Sequence, residues 1–340
     1  MYIQDIDLIL KDWAFAQRKG LHYESKLRLA RKRIEDWYDY WDGDVYVSFS
    51  GGLDSTVLLH MVRDYLYNDI PAVFSNTGLE YPEIVEFVKT FDDVTIIKPE
   101  KSFRQVIKDY GYPIISKETA AKIRKLRHGN LCERYRNYLM NGDKRGSIGK
   151  LADKWKFLID APFDTSEKCC DVMKKKPFKK YHRLTGRYPY LGITQDESFQ
   201  RRRQYEKTGC NVYEANAPKS QPLGPWTKQD VLRYAAENNV KICSVYGEIK
   251  QDENGKYYNT GVERTGCMFC GFGCHMEEYP NRFQRMEQTH PQIWEYCMRD
   301  WENGGLGMAK VLDYINVPYL NNVDPECDCC GIQYQQYKIV

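Results

Sequence analysis

Two groups of residues in this 340-residue chain have the types and spacing to do chemistry. The first is Ser50-Gly51-Gly52-Leu53-Asp54-Ser55-Thr56, which follows the β-branched and aromatic run Val45 to Phe49 and leads into an amphipathic run to His60. This order predicts a strand, a tight glycine turn and a helix. The free N–H groups and the dipole of the helix start favour a bound anion. The Ser55 and Thr56 hydroxyls add donors, and the Asp54 carboxylate can hold a Mg²⁺-bound phosphate. The spacing excludes the Walker loop and the three-glycine dinucleotide fingerprint. The second group is Cys169-Cys170 together with Cys267-Met268-Phe269-Cys270, with Cys274 four residues on. Four thiolates suit zinc or an iron–sulfur cluster. Directly adjacent cysteines chelate one small ion awkwardly, because neighbouring side chains diverge. A 4Fe–4S cluster accepts both on different irons and is the expected group, with zinc as the alternative. Lys174 would offset the thiolate charge.

The elements that must position these residues alternate between 44 and 110. Ala72 to Ser75 and Val94 to Ile97 read as strands, and Pro82 to Phe91 and Ser102 to Tyr110 as helices. Tyr188 to Thr194 returns to strand pattern and Asp196 to Tyr205 to helix. The fold class is α/β, a doubly wound, mostly parallel Rossmann-like sheet. Ligands in such sheets bind beyond the strand C-termini, where the glycine loop and Asn76-Thr77-Gly78 both fall. Leu27, Ala30, Ile34, Trp37 and Trp41 stand at helical spacing and predict an N-terminal helix packing an aromatic stripe on the body. A partner-binding helix is the alternative. Thr227 and Asp230 form a capping box for a helix to about Asn238. A last helical stretch covers Met308 to Ile315. The expected organisation is a helical segment over 1–42, a nucleotide-binding α/β domain over 43–240 with a basic helical insertion at 116–160, and a Cys-rich, metal-binding and helical region over 241–340.

Charges nearly balance, at +3 net, and no run of eighteen apolar residues is present. The expectation is a cytoplasmic protein without membrane contact, whose twelve cysteines hold metal or do redox chemistry rather than form a disulfide framework. The balance conceals a basic block. Ten Lys/Arg and three acidic residues lie between Lys117 and Lys150, with Tyr135, Tyr138 and His128 interleaved, and the excess runs on to Arg201-Arg202-Arg203. Cations with aromatics make a polyanion-binding surface, so nucleic acid is the partner expected at 117–203. A solvated helical arm is the other reading.

The Ser-Gly-Gly-x-Asp-Ser run resembles the pyrophosphate (PP) loop of the ATP pyrophosphatases, a superfamily that includes the phosphoadenylyl-sulfate (PAPS) reductases. Asn76 to Glu83 is similar to a segment lining the reductases' nucleotide site. Cys169 to Pro177 resembles the Cys-Cys-x-x-Arg-Lys-x-x-Pro segment of iron–sulfur adenylyl-sulfate reductases, and Gly192 to Arg201 their Gly-x-Arg-x-x-x-Ser-x-x-Arg segment. Pro222 to Val231 is similar to their Pro-Leu-x-x-Trp-Thr-x-x-Asp-Val, and Gly266 to Cys270 to their Gly-Cys-x-x-Cys. The resemblance implies a fold of the PP-loop type. It also implies that Cys169, Cys170, Cys267 and Cys270 hold a 4Fe–4S cluster beside a nucleotide, and that Gly192, Ile193, Ser198 and Arg201 contact the nucleotide. Three departures stand out. The loop is whole where the reductases' is degraded, which fits ATP. Thr194 replaces a substrate-binding arginine. The tail reads Glu326-Cys327-Asp328-Cys329-Cys330-Gly331-Ile332-Gln333, where the reductases carry Glu-Cys-Gly-Leu-His.

Two enzymatic readings follow. In the first, ATP bound at residues 50–56 adenylates a substrate with pyrophosphate release, and sulfur from a donor protein displaces AMP, with nucleic acid as the acceptor. In the second, the Cys330 thiolate attacks the sulfate of adenylyl sulfate or PAPS, and a thiol reductant resolves the product to sulfite. A non-catalytic nucleic-acid-binding module is the third reading.

Overall fold

The computed structural model describes residues 13–67, 69–146, 148–194, 199–213 and 217–321. The chain divides into two compact units. One is drawn from Met1–Asn76, Glu80–Lys98 and Lys176–Thr265, the other from Thr77–Leu79, Pro99–Lys175 and Gly266–Val340.

The first unit is built on a six-stranded sheet in the order Val94–Ile97, Ala72–Ser75, Val45–Ser48, Tyr188–Leu191, Lys219–Ser220, Asn211–Val212. Its neighbours run parallel, with Val47 beside Ala72, Val45 beside Tyr188 and Ala72 beside Val94; the terminal pair alone is antiparallel. Val45, Tyr46, Val47 and all of Ala72–Ser75 are buried. Such unbroken burial marks strands covered on both faces. The helix Leu53–Tyr65 buries Leu53, Val57, Leu58, Met61 and Val62. The helix Tyr23–Tyr40 lays Ala30, Ile34 and Trp37 into the same core. Trp37 is fully buried, and its truncation to Ala would cost about 3–5 kcal/mol. Trp41 caps that helix and stacks on Tyr188. The capping box of the helix Lys228–Glu237 forms as expected. Its Asp230 also takes a buried ion pair from Lys26, 2.8 Å away, which fastens the N-terminal helix to it.

Local boundaries differ where the chain turns early. The strand expected to reach Thr194 ends at Leu191, because the Ile193 N–H turns back to the Leu191 carbonyl at 2.9 Å. The helix expected to reach Phe91 ends at Val88, where Thr90 and Phe91 bond three residues back in tighter turns. The helix expected from Asp196 is described as Phe199–Thr208, with residues 195–198 outside the described residues. The two-residue strands Lys219–Ser220 and Asn211–Val212 escape sequence reading, being too short to show alternation.

The second unit is mainly helical. The basic segment folds into Lys117–His128, Glu133–Asn141 and a 3₁₀ turn at Asp153–Asp160. Ile114–Ile115 pairs in parallel with Gly271–Phe272. Helices Arg282–Thr289 and Pro291–Met298 precede Met308–Tyr314. The Tyr112 hydroxyl donates to the Leu306 carbonyl at 2.7 Å, and Arg104 lies over the Trp301 ring while donating to the Trp301 carbonyl at 2.7 Å. Among the described residues no helix is long and apolar enough to cross a membrane.

Candidate functional site

In the first unit the glycine turn is held from both sides. Gly51 has φ +69°, and a Cβ there would stand 2.8 Å from Ile84 Cγ2 and 2.9 Å from Val88 Cγ2. Glycine alone suits both the conformation and the space. Gly52 is the N-cap of the helix. The Ser50 and Ser55 hydroxyls are 2.9 Å apart, and the Ser50 N–H donates to Ser55 Oγ at 3.2 Å. The Ser55 and Thr56 hydroxyls both reach the Gly52 carbonyl at 2.9 Å. Gly192 closes the other side, its backbone against Asp54 and Ser55.

Asp54 is half-buried within the first helical turn. Burial pushes its carboxyl above the usual carboxylate range, while the charges of Arg264, Arg201 and Lys228 work against that rise. The charges of three cations, of which Lys228 is also paired with Glu263 at 3.1 Å, thus act on a carboxylate at a helix N-terminus, an arrangement suited to a multiply charged anion with a metal ion. The Tyr246 hydroxyl stands 2.7 Å from Thr265 Oγ1. Both hydroxyls border Gly52, at 3.4 and 3.6 Å from where its Cβ would be. Sequence reading missed Lys228, Tyr246, Arg264 and Thr265. The available signal was the position of Arg264-Thr265 directly before Gly266-Cys267.

The loop residues 50–56, Gly192 and Arg201 therefore belong together in the first unit. Ile193 follows Gly192 in the turn after the strand, and Thr194 is buried. Asn76 closes its strand by donating to the Ile97 carbonyl at 2.9 Å. Thr77 and Gly78 fall in the second unit, where Thr77 Oγ1 accepts the Leu79 N–H at 3.3 Å. Ser198 and Cys330, with Cys327 and Cys329, lie outside the described residues.

In the second unit Cys169 and Cys170 open a helix whose next turn, Asp171–Lys175, is π-helical. Such turns gather at functional sites. The Cys170 thiol is pushed down to about 5, first by the hydrogen bond from Cys169 and then by Lys117 and Lys174, while burial opposes the shift. Cys169 is pushed up by the same bond, by burial, and by the charges of Cys170, Cys267 and Cys270. The four expected ligands therefore lie within electrostatic reach of one another. Cys267 and Cys270 close a turn, with the Cys270 N–H on the Cys267 carbonyl at 3.1 Å. Arg282 donates to the Cys270 carbonyl at 2.7 Å, and Glu277 grips the Arg282 Nε at 2.9 Å. Burial acts to raise the Glu277 carboxyl, but Arg282 holds it below its ordinary value.

Among the described residues no group of three or more His, Cys, Asp or Glu side chains is arranged to hold a metal ion. Tetrahedral zinc needs thiolates about 4 Å apart around one centre. Cys169, Cys170, Cys267 and Cys270, with Lys117, Lys174 and Arg282 acting on them, are the residues that would hold a metal centre. Cys274 donates to the Gly271 carbonyl at 3.0 Å, and burial pushes its thiol up to about 12. Cys210, Cys243 and Cys297 are buried and Cys132 is exposed.

The phosphoadenosine phosphosulfate reductase domain matches residues 44–146 and 146–274. Two uncharacterised proteins of Methanocaldococcus jannaschii are 25% identical over 275 residues and 21% identical over 269, covering 79% and 77% of this chain. The chain spans 43% and 49% of their lengths, about half of the curated relatives it matches. Among solved structures, the PAPS reductase of Candida auris in its phosphate complex shares 15% identity at a TM-score of 0.37, over 72% of this chain and 95% of that one. The U34-tRNA thiolase NcsA of Methanococcus maripaludis, with its 4Fe–4S cluster, shares 14% identity at a TM-score of 0.35, over 91% of this chain and 88% of that one. Structural likeness at this level carries no functional argument. The domain match, spanning well over half the chain and containing the glycine turn and all four clustered thiols, does: this protein belongs to the phosphoadenosine phosphosulfate reductase family of enzymes.

Proposed function

We propose that the protein binds ATP at residues 50–56 and activates a substrate by adenylation for sulfur transfer. One observation carries the reading: Asp54 sits at a helix N-terminus among Arg201, Arg264 and Lys228. That charge pattern suits the triphosphate and Mg²⁺ better than a nucleotide bearing a single sulfate.

In the proposed reaction, helix N–H groups and the three cations hold the β- and γ-phosphates, and Asp54 faces Mg²⁺. A substrate oxygen attacks the α-phosphorus. The new P–O bond replaces the bond to the β-phosphate oxygen, and pyrophosphate departs with the charge the cations stabilise. The substrate oxygen now carries AMP as its leaving group. Sulfide released by a donor partner forms the C–S bond as AMP leaves with the substrate oxygen, so no bond to the donor remains to be broken. A 4Fe–4S cluster held by Cys169, Cys170, Cys267 and Cys270 would supply a sulfur- and electron-handling centre. Lys117, Lys174 and Arg282 would balance its thiolate charge.

The family match supports a second reading, reduction of adenylyl sulfate or PAPS to sulfite with Cys330 as nucleophile. Anaerobically purified protein assayed for pyrophosphate from ATP, and for sulfite from adenylyl sulfate and PAPS, decides between them. Pyrophosphate release that is lost in Asp54→Asn, and that in Arg264→Ala needs about 10- to 100-fold more ATP, is the expected outcome. Sulfite release without pyrophosphate release would reject adenylation.

A further inference from the structure

The helix Lys176–Thr185 in the first unit has a charge pattern that its own stability does not explain. It carries Lys176, Lys179, Lys180 and Arg183 and no acidic residue. Between Asp171 and Asp196 the chain has no Asp or Glu at all. Asp171 is already paired with Lys175 at 2.8 Å. All four cations of the helix are exposed. Lys176, Lys179 and Arg183 form no ion pair among the described residues.

Their spacing, i, i+3, i+4 and i+7, places them on one face over about 10 Å of axis. It also sets two like-charge pairs at i,i+4, Lys176 with Lys180 and Lys179 with Arg183, which oppose helix formation. The opposite face is anchored. Pro177 is buried, and Phe178 and Tyr181 pack on Tyr46 of the central strand, with ring centroids 6.2 and 5.0 Å apart. The cations are thus displayed on a rigid support.

The other strongly basic helix, Lys117–His128, shows the contrasting arrangement. Its Lys122 pairs with Glu118, Arg124 with Glu167, and Arg127 and His128 with Asp164. There the basic residues are spent on the fold. On Lys176–Thr185 the cations Lys176, Lys179 and Arg183 are left to solvent.

We propose that this face seats the phosphodiester backbone of a nucleic-acid strand along Lys176, Lys179, Lys180 and Arg183. A row of cations on one helix face matches a row of phosphates, and such contacts position a strand without reading its sequence. The inference names the acceptor class for the sulfur-transfer reading and rests on it only for that role. Binding is measured without ATP, so its failure is distinct from a failure to release pyrophosphate.

The test is fluorescence anisotropy of the full chain with labelled single-stranded RNA, with DNA of the same sequence, and with phosphatidylserine vesicles, across a salt titration. The triple variant Lys176→Glu, Lys179→Glu, Arg183→Glu should bind RNA or DNA at least tenfold more weakly. The milder Gln version should flatten the log–log salt slope by about 2, three contacts at roughly 0.7 each. A charge-matched control, Lys89→Glu, Lys101→Glu, Lys310→Glu, should keep the wild-type slope, and circular dichroism checks that each variant folds. Absence of binding to both nucleic acids, equal loss in the control, or loss confined to vesicles would each overturn the proposal.

Discussion

Gly192 lies so close to Ser55 that a Cβ on Gly192 would come within 2.7 Å of Ser55 Cα and 2.8 Å of the Ser55 nitrogen. The obstacles are backbone atoms of the helix start, which cannot swing aside. Gly192→Ala should therefore push the anion-binding turn out of place. We expect a stability loss of about 1–3 kcal/mol in urea titration and, for a displacement near 1 Å, a fall in pyrophosphate release of roughly 100-fold. Wild-type values for both would show that the contact is not a constraint.

Asp54 offers a prediction of opposite sign for stability and activity. Burial raises its carboxyl above the unfolded value, despite Arg264, Arg201 and Lys228. A raised carboxylate contributes stability that is fully present below the unfolded value and lost as pH rises through the folded one. Asp54→Asn removes that dependence. The variant should gain on wild type as pH rises from 3 to 7 in thermal melts, while nucleotide turnover disappears. A variant melting below wild type at pH 7 would contradict the account.

Arg264 and Tyr246 should separate in kinetics. Arg264→Ala removes a cation from the phosphate site and should raise KM for ATP about 10- to 100-fold, the range of one charge-assisted hydrogen bond. Tyr246→Phe deletes the hydroxyl that bonds Thr265 Oγ1 beside Gly52. It should act chiefly on turn stability, by about 1 kcal/mol. Equal effects of the two variants on KM would rule out this division.

Arg282 is a positioning residue for the Cys267–Cys270 turn, because it bonds the Cys270 carbonyl while Glu277 fixes its guanidinium. Arg282→Ala should lower iron retained per chain after anaerobic gel filtration. Arg282→Lys, which keeps the charge without the fork, should restore it only in part. The Glu277 carboxyl is held below its unfolded value, so the stability it adds is present above about pH 4.5 and disappears as pH falls through the folded value. Glu277→Gln should therefore narrow the gap between neutral and acid stability. Iron content unchanged in Arg282→Ala would leave the turn without this support.

How much was legible in sequence depends on how local each feature is. Strand, glycines and helix around Ser50–Thr56 are contiguous, so their geometry follows from spacing alone. The Thr227–Asp230 capping box is equally local. The charge of Arg264 acts on Asp54 only after some two hundred residues have folded between them, and nothing near Arg264 in sequence marks it as part of this site. Arg282 is likewise an ordinary helix residue until Cys270 and Glu277 are placed around it. The helix it opens carried a readable sign, Asn281 with Gln284, overlooked beside the cysteines. Charge counting found the basic block at 117–203 but could not tell neutralised cations from displayed ones. That distinction needs Glu167 and Asp164, which lie about forty residues from their partners.

Ile84 and Val88 press on Gly51 from behind and never need to meet a ligand. Trimming either side chain by a methyl group would give the turn slack, and enlarging it would shift the turn outward. On the proposed reading, nucleotide affinity is thus adjustable from a hydrophobic layer that a survey of ligand-facing residues would pass over. Variants that tighten or loosen the enzyme without touching its chemistry should be sought at those two positions.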